Sequence, residues 1–325
     1  ISACKKRNLI LNSSAKIELS ADTIIFDTVF TQRGTITKHC KLYNPHNQPI
    51  NISELYIAGM NDSLFRMNVD GISGSYHENI EIKANDSLYL FVEATLEANN
   101  AINPMIITDS IVIITNNNRQ KIDLVAWGQD AYYLYSTNGY FDFAILPDAP
   151  NTSIELLNDK PYVVFGYARV DSTQILTVNE GTRLHFHKNS GLYVGPYASL
   201  KVNGTLENPV IFESDRLDSE YRDVPGQWGH PLLEGGIILA ALSHDNEFNY
   251  AEIKHGTFGL RVDSFPNNET PSVILNNCKI ENMSYVGLNA LNAKVEANNS
   301  LFTNCGLYTA ALLYGGSHEI GRAHV

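Results

Sequence analysis

The densest chemistry in the chain lies in one stretch, ESDRLDSEYRDVPGQWG, from Glu213 to Gly229. Asp215, Asp218, Glu220 and Asp223 stand there among Arg216, Arg222, Tyr221 and Trp228. Two carboxylates at a fixed separation can serve as acid and base in glycoside hydrolysis. A cluster of them can ligate Ca2+ through oxygen. The plainer reading is a solvated excursion whose charges pair with one another, with Trp228 packed against the side of the fold. Upstream, RLHFHK sets His185 and His187 two residues apart. A strand would put both on one outward face while Leu184 and Phe186 face in. Paired imidazoles can bind a metal, but no third ligand is visible, so no metal site and no cofactor are expected. Outward Tyr193, Tyr197, Tyr221 and Trp228 would offer aromatic faces for sugar rings. Tyrosine is abundant throughout, with 17 residues, which dilutes that signal.

The elements that must position these side chains are short strands. From about residue 161 the chain runs in segments of three to five apolar-alternating residues, each ended by Asn-Gly, Glu-Gly or another glycine turn. VILNNCKIENMSYVGLNA (273–290) and VEANNSLFTNCGLYTAAL (295–312) align at an offset of 22 residues. Val273 meets Val295, Asn276 meets Asn298, Asn277 meets Asn299, Ile280 meets Phe302 and Asn282 meets Asn304. Cys278 meets Ser300, so Cys278 and Cys305 do not stack. FNYAEIKHGTFGL (248–260) is an earlier copy, with Asn249, Ile253 and Gly259 in corresponding places and a longer offset caused by the FPNNETPS loop. A period near 22 with such strands is the signature of a parallel β-helix, in which stacked coils share one core. Asparagines at repeated turns can then ladder their amides from coil to coil.

Residues 21–130 read differently. Seven β-branched and aromatic runs, among them TIIFDTVF, INISELYI, SLYLFVEATL and KIDLVAWG, alternate with turn clusters and predict a β-sandwich. The stretch from Phe26 to Ile57 resembles Ig-like modules through Val29, Gly34, Asn44, Pro49, Ile50 and Ile52. The expected organisation is a leader remnant and polar tether at 1–20, the sandwich at 21–130, a connector at 131–160, an incomplete β-helix at 161–318 and a non-native end at 319–325. That end is set apart because the Ile320–Val325 segment back-translates as ATC GGA AGA GCA CAC GTC, a string found in a common sequencing adapter. The natural chain is therefore expected to continue further.

Composition narrows the function classes. Charged residues make up 18% and the net charge is −12, which disfavours binding to nucleic acid phosphates. The four cysteines are too few for a disulfide scaffold, and no C-x-x-C suggests zinc. Ile1-Ser2-Ala3-Cys4 resembles a bacterial lipobox, with Cys4 carrying the acyl chains that anchor the protein to a membrane. Asp followed by Ser or Thr recurs and resembles the O-glycosylation acceptor motif of Bacteroidetes, which would modify Thr23, Thr28, Ser63, Ser87, Ser110 and Ser172. The plainer reading is that Asp-Ser and Asp-Thr open strands as turn chemistry.

Through SADTIIFDTVF, YLFVEATL, AWGQDA, VNGTLENPVIFES, VPGQWG and YAEIKHGTFGLRV, the chain resembles two-domain Bacteroidetes cell-envelope lipoproteins. These carry an Ig-like module before a right-handed parallel β-helix. The resemblance implies an all-β fold and an outer-membrane location, on either membrane face. It leaves two functions open. One is a non-enzymatic lipoprotein presenting its β-helix for adhesion or polysaccharide binding. The other is a β-helix lyase, with an arginine acting on uronate sugars, or a hydrolase, its cleft partly in later coils.

The anchor and modification readings have a joint test. The full-length protein made in a Bacteroidetes host should partition into detergent, and Cys4→Ala should release it. Its intact mass should carry glycan increments that shrink when exposed acceptors become Ala. Equal partitioning of both forms removes the anchor, and a single unmodified mass apart from lipid removes the acceptors.

Overall fold

The computed structural model describes residues 8–59, 64–98, 105–136, 143–144, 153–263 and 270–321. Cys4 and Ser63 lie outside these. The chain divides into two compact units, Ile1–Asp130 and Ala131–Val325. The described part is all-β apart from one 3-10 turn, Pro231–Leu233.

The first unit contains two five-stranded sheets. One has Glu18–Leu19, Lys38–Tyr43, Ser87–Ala94, Phe65–Val69 and Ile72–Ser73 in that spatial order, all antiparallel. The other has Thr23–Phe30, Asn118–Gln129, Met105–Thr115, Ile50–Ile57 and Tyr76–Ile82, with its first pair parallel. Alternation sends Cys40, Leu42, Leu90 and Val92 of the first sheet and Ile24, Phe26, Ile52 and Leu124 of the second into one shared core. The seven sequence-predicted runs are present as strands. Phe65–Val69 and two-residue Glu18–Leu19 and Ile72–Ser73 were not anticipated, because each is too short to show a period. The expected tether is also shorter than residues 1–20. Ala15 and Ile17 are buried in the core, and Glu18 pairs with Tyr43. Asn44 is buried because its Nδ2 donates to the carbonyls of Gln48, Ile82 and Lys83. It is a satisfied corner residue.

The second unit is a parallel β-solenoid of three seven-stranded sheets among the described residues. The first sheet stacks Tyr132–Tyr135, Tyr162–Phe165, Arg183–Phe186, Val210–Ser214, Ala251–Lys254, Lys279–Glu281 and Leu301–Thr303. The second runs from Phe143–Ala144 to Tyr308–Leu313, and the third from Ser153–Leu156 to His318–Gly321. The expected connector at 131–160 therefore supplies strands to the first coil, with Tyr132 paired to Tyr162 and Ser153 to Ile175. Its tyrosines and turn residues masked that role. At the other end His318–Gly321 pairs in register with Val295–Asn298, so Glu319, Ile320 and Gly321 lie in the stack.

The sequence alignment at 22 residues is the hydrogen-bonded register itself. Val273 pairs with Val295, Asn276 with Asn298 and Ile280 with Phe302. The asparagines form ladders: Nδ2 of Asn276 donates to Asn249 Oδ1 at 3.0 Å, and Asn299 to Asn277 at 2.6 Å. Asn298 donates to Asn276, and Asn304 to Asn282. Asn277, Asn282, Asn299 and Asn304 all have positive φ, which asparagine tolerates well. Gly259 is needed for close approach, since a Cβ there would lie 2.5 Å from the Gly287 carbonyl of the next coil. Cys278 packs above Ser300, whose Oγ accepts from the Cys278 N–H at 3.1 Å.

Phe302 is fully buried beneath Ile280. Phe302→Ala should therefore cost about 3–5 kcal/mol, as large core truncations do. Chemical denaturation measures this; a loss within about 0.5 kcal/mol, the surface range, would contradict the packing.

Candidate functional site

The charged loop interrupts the solenoid between Val210–Ser214 of the first sheet and Ile237–Leu239 of the second. Its base is the outward face of the first sheet. Leu184, Phe186, Phe212, Ile253 and Ile280 point inward and join the core. The intervening residues point outward, and register makes them a ladder of His185, Glu213, Lys254, Glu281 and Thr303. Glu213 lies 3.5 Å from Lys254 Nζ and 3.8 Å from His185 Nδ1. Lys279 and Glu281 pair at 2.6 Å.

His185 and His187 do share the outward side, as two-residue spacing requires, but their surroundings differ. His185 is buried, and its Nδ1 lies 3.1 Å from the Ser214 carbonyl. A carbonyl can only accept, so the proton sits on Nδ1. His187 is exposed and holds Asp215 at 2.7 Å. The expectation of two outward, available imidazoles is corrected at His185.

Within the loop, Arg216 Nε donates to Asp218 Oδ2 at 2.9 Å, and its guanidinium lies 4.1 Å from the Tyr221 ring centroid. The backbone N–H groups of Tyr221 and Arg222 both donate to the Asp218 carbonyl, which forms a compact turn. Asp218 is buried, and its Oδ1 has no partner among the described residues. Glu220 and Arg222 are exposed. Asp223 is also exposed and lies 3.8 Å from Nε2 of buried His255.

Trp228 departs from the sequence expectation of an outward sugar platform. Its ring is fully buried, stacks on Phe186 at 4.5 Å and donates Nε1–H to the Lys254 carbonyl at 2.8 Å. Gly236 makes room for it: a Cβ there would come within 2.5 Å of the indole. The alternative packing, against the fold, is the one adopted. Around it the chain rejoins the stack, with Gly226 N–H donating to the Gly256 carbonyl and Gly229 N–H to that of Ser190. Tyr167 pins the following segment by donating to the Gly235 carbonyl and accepting from the His230 N–H. The acidic excursion is thus about 215–225; Gly226–Gly229 rejoins the stack before the 3-10 turn at Pro231–Leu233.

The other aromatic candidates occupy different corners. Tyr193 is half-buried in the second sheet, Tyr197 is exposed at the turn into the third, and Tyr221 is 41% exposed in the excursion. Among the glycosylation candidates Ser172 is exposed, whereas Thr23, Thr28, Ser87 and Ser110 are half-buried in strands. Asp Oδ1 accepts the next residue's N–H at Ser87, Ser110 and Ser172, at 2.7–2.9 Å. The sequence missed the ladder from Glu213 through Lys254 to Glu281. Extending the 22-residue alignment across the longer offset could have found it.

Burial pushes the Cys278 thiol up to about 12 and raises that of Cys305. Among the described residues no group of three or more His, Cys, Asp or Glu could hold a metal ion.

No family model and no curated protein matches this chain. Among solved structures it is similar to a family 123 glycoside hydrolase from Clostridium perfringens at 8% identity and TM-score 0.25, over 35% of this chain and 26% of that one. It is similar to the N-terminal domain of PorA at 12% identity and TM-score 0.25, over 35% of this chain and 97% of that domain. A third likeness is to the catalytic domain of a GH87 alpha-1,3-glucanase in complex with tetrasaccharides, at 9% identity and TM-score 0.19, over 87% and 55%. Scores this low bear on neither fold nor function.

Burial lowers the His185 pKa from its ordinary value, with nearby Glu213 opposing the shift. The unfolded chain takes up that proton near pH 6.5. Below this pH the unfolded state binds more protons than the folded one, so acidification destabilises the fold. Melting temperature should fall from about pH 7 to 5, and less steeply in His185→Gln. Parallel slopes in both proteins would show that His185 contributes nothing.

Proposed function

We propose that this chain is a non-enzymatic, envelope-anchored lipoprotein whose solenoid binds glycan. The observation that carries the reading is the state of the loop's charges. Asp215 is held by a hydrogen bond with His187 and Asp218 by an ion pair with Arg216, so both acids are engaged locally. Beside them Tyr221 remains accessible, with Arg216 steadying its ring. An exposed aromatic on a rigid scaffold gives contact area at low entropic cost. Anchoring through Cys4 would place that surface at the outer membrane, and a glycan at Ser172 would keep the solenoid hydrated. The competing enzyme reading needs a free acid and base converging on one point, and these pairs supply neither.

The test is titration calorimetry of the full chain against a panel of plant and microbial polysaccharide fragments. At least one should bind without being cleaved, and Tyr221→Ala should weaken it about tenfold, or about 1.4 kcal/mol. Release of new reducing or unsaturated ends would establish the lyase or hydrolase instead. Absence of binding across the panel would remove the glycan reading.

A further inference from the structure

The sandwich carries a groove that the solenoid reading does not use. Strand pairing in its first sheet aligns outward rungs. Arg66 lies opposite Glu93, Asn68 opposite Phe91, Phe91 opposite His39, and Tyr89 opposite Lys41. Alternation sends Met67, Leu90 and Val92 into the core, which leaves these side chains outside. Thr37, Arg66, Asn68, Ser73, Phe91 and Glu93 line a concavity of about 810 Å3. That volume lies in the range of small-ligand sites.

Three features give the groove its chemistry. Phe91 and Tyr89 are 38% and 41% exposed, with centroids 5.6 Å apart and planes within 15°. The two rings stack on each other, Phe91 lines the concavity, and Lys41 lies 4.6 Å from the Tyr89 ring centroid. Arg66 and Glu93 face each other across neighbouring strands, yet no ion pair joins them among the described residues. Glu93 instead accepts from Thr37 Oγ1 at 2.6 Å. A guanidinium that can donate and a carboxylate that can accept therefore stand beside the exposed Phe91 ring.

We propose that this groove binds a neutral hexose unit of a glycan, independently of any site on the solenoid. The ring would pack on Phe91, which Tyr89 supports by stacking, while Glu93 would accept from its hydroxyls and Arg66 would donate to them. The opposed charges select neutrality. An acidic sugar would gain from Arg66 what it loses to Glu93, and an ammonium the reverse, so neither gains net attraction over a neutral one.

Saturation-transfer NMR and affinity titration of the full chain test this, with neutral glucan, mannan and galactan oligosaccharides as probes and oligogalacturonate as the acidic comparator. A neutral probe should bind, and Phe91→Ala and Arg66→Gln should each weaken it about tenfold. Circular dichroism checks folding; should Phe91→Ala unfold, Arg66→Gln decides. Unchanged affinity in the folded groove variants, preference for oligogalacturonate, or no neutral binding overturns the proposal. Loss of binding in Tyr221→Ala alone also overturns it, while leaving the solenoid reading standing.

Discussion

Each coil of the solenoid depends on its neighbours for its backbone hydrogen bonds and for the other half of its core. A strand of three to five residues such as Lys279–Glu281 cannot bury Ile280 alone. It does so because Ile253 lies on one side and Phe302 on the other in strict register. Parallel pairing through all three sheets demands that equivalent residues recur, and this makes the sequence periodic. The same demand sets Gly259 and Gly287 at one place in successive coils, where the following coil's carbonyl passes too close for a side chain. Asparagine ladders satisfy the turns that the sheets cannot reach.

An insertion is tolerated in such a stack only if both its ends return to register. The excursion after Ser214 meets this condition through Trp228, which re-enters the core against Phe186, and through the hydrogen bonds of Gly226 and Gly229. What remains outside is a short acidic turn held by the Arg216–Asp218 ion pair and by the Asp218 carbonyl, which accepts from Tyr221 and Arg222. Arg216 and Asp218 pair within it, and such a pair contributes local order, while Glu220, Arg222 and Asp223 face solvent. In the ladder beneath, Glu213 pairs with Lys254 of the next coil and Glu281 with Lys279 of its own strand, beside a His185 whose pKa burial lowers.

The sandwich obeys a different rule. Its two sheets need only one apolar face each, so the outer faces are free to carry chemistry. On one of them the pairing of Phe65–Val69 with Ser87–Ala94 brings Arg66 beside Glu93 and Asn68 beside Phe91. Where the solenoid closes its charges into pairs, this face leaves a guanidinium and a carboxylate beside an open aromatic surface.

The sequence by itself determined the all-β class, the solenoid and its register. Repetition of Val273, Asn276 and Ile280 at Val295, Asn298 and Phe302 is a direct image of stacking, because identical surroundings select similar residues. It also determined which of Leu184, His185 and Phe186 face inward, since strand alternation is local. Only the tertiary structure decided that Trp228 is core, that His185 is buried, and that Tyr132–Tyr135 belongs to the first coil. Burial depends on what covers a residue, and the cover comes from chain distant in sequence. The groove at Arg66, Phe91 and Glu93 was invisible for the same reason. Its residues come from three strands whose adjacency is a matter of pairing, and no spacing along the chain encodes that pairing.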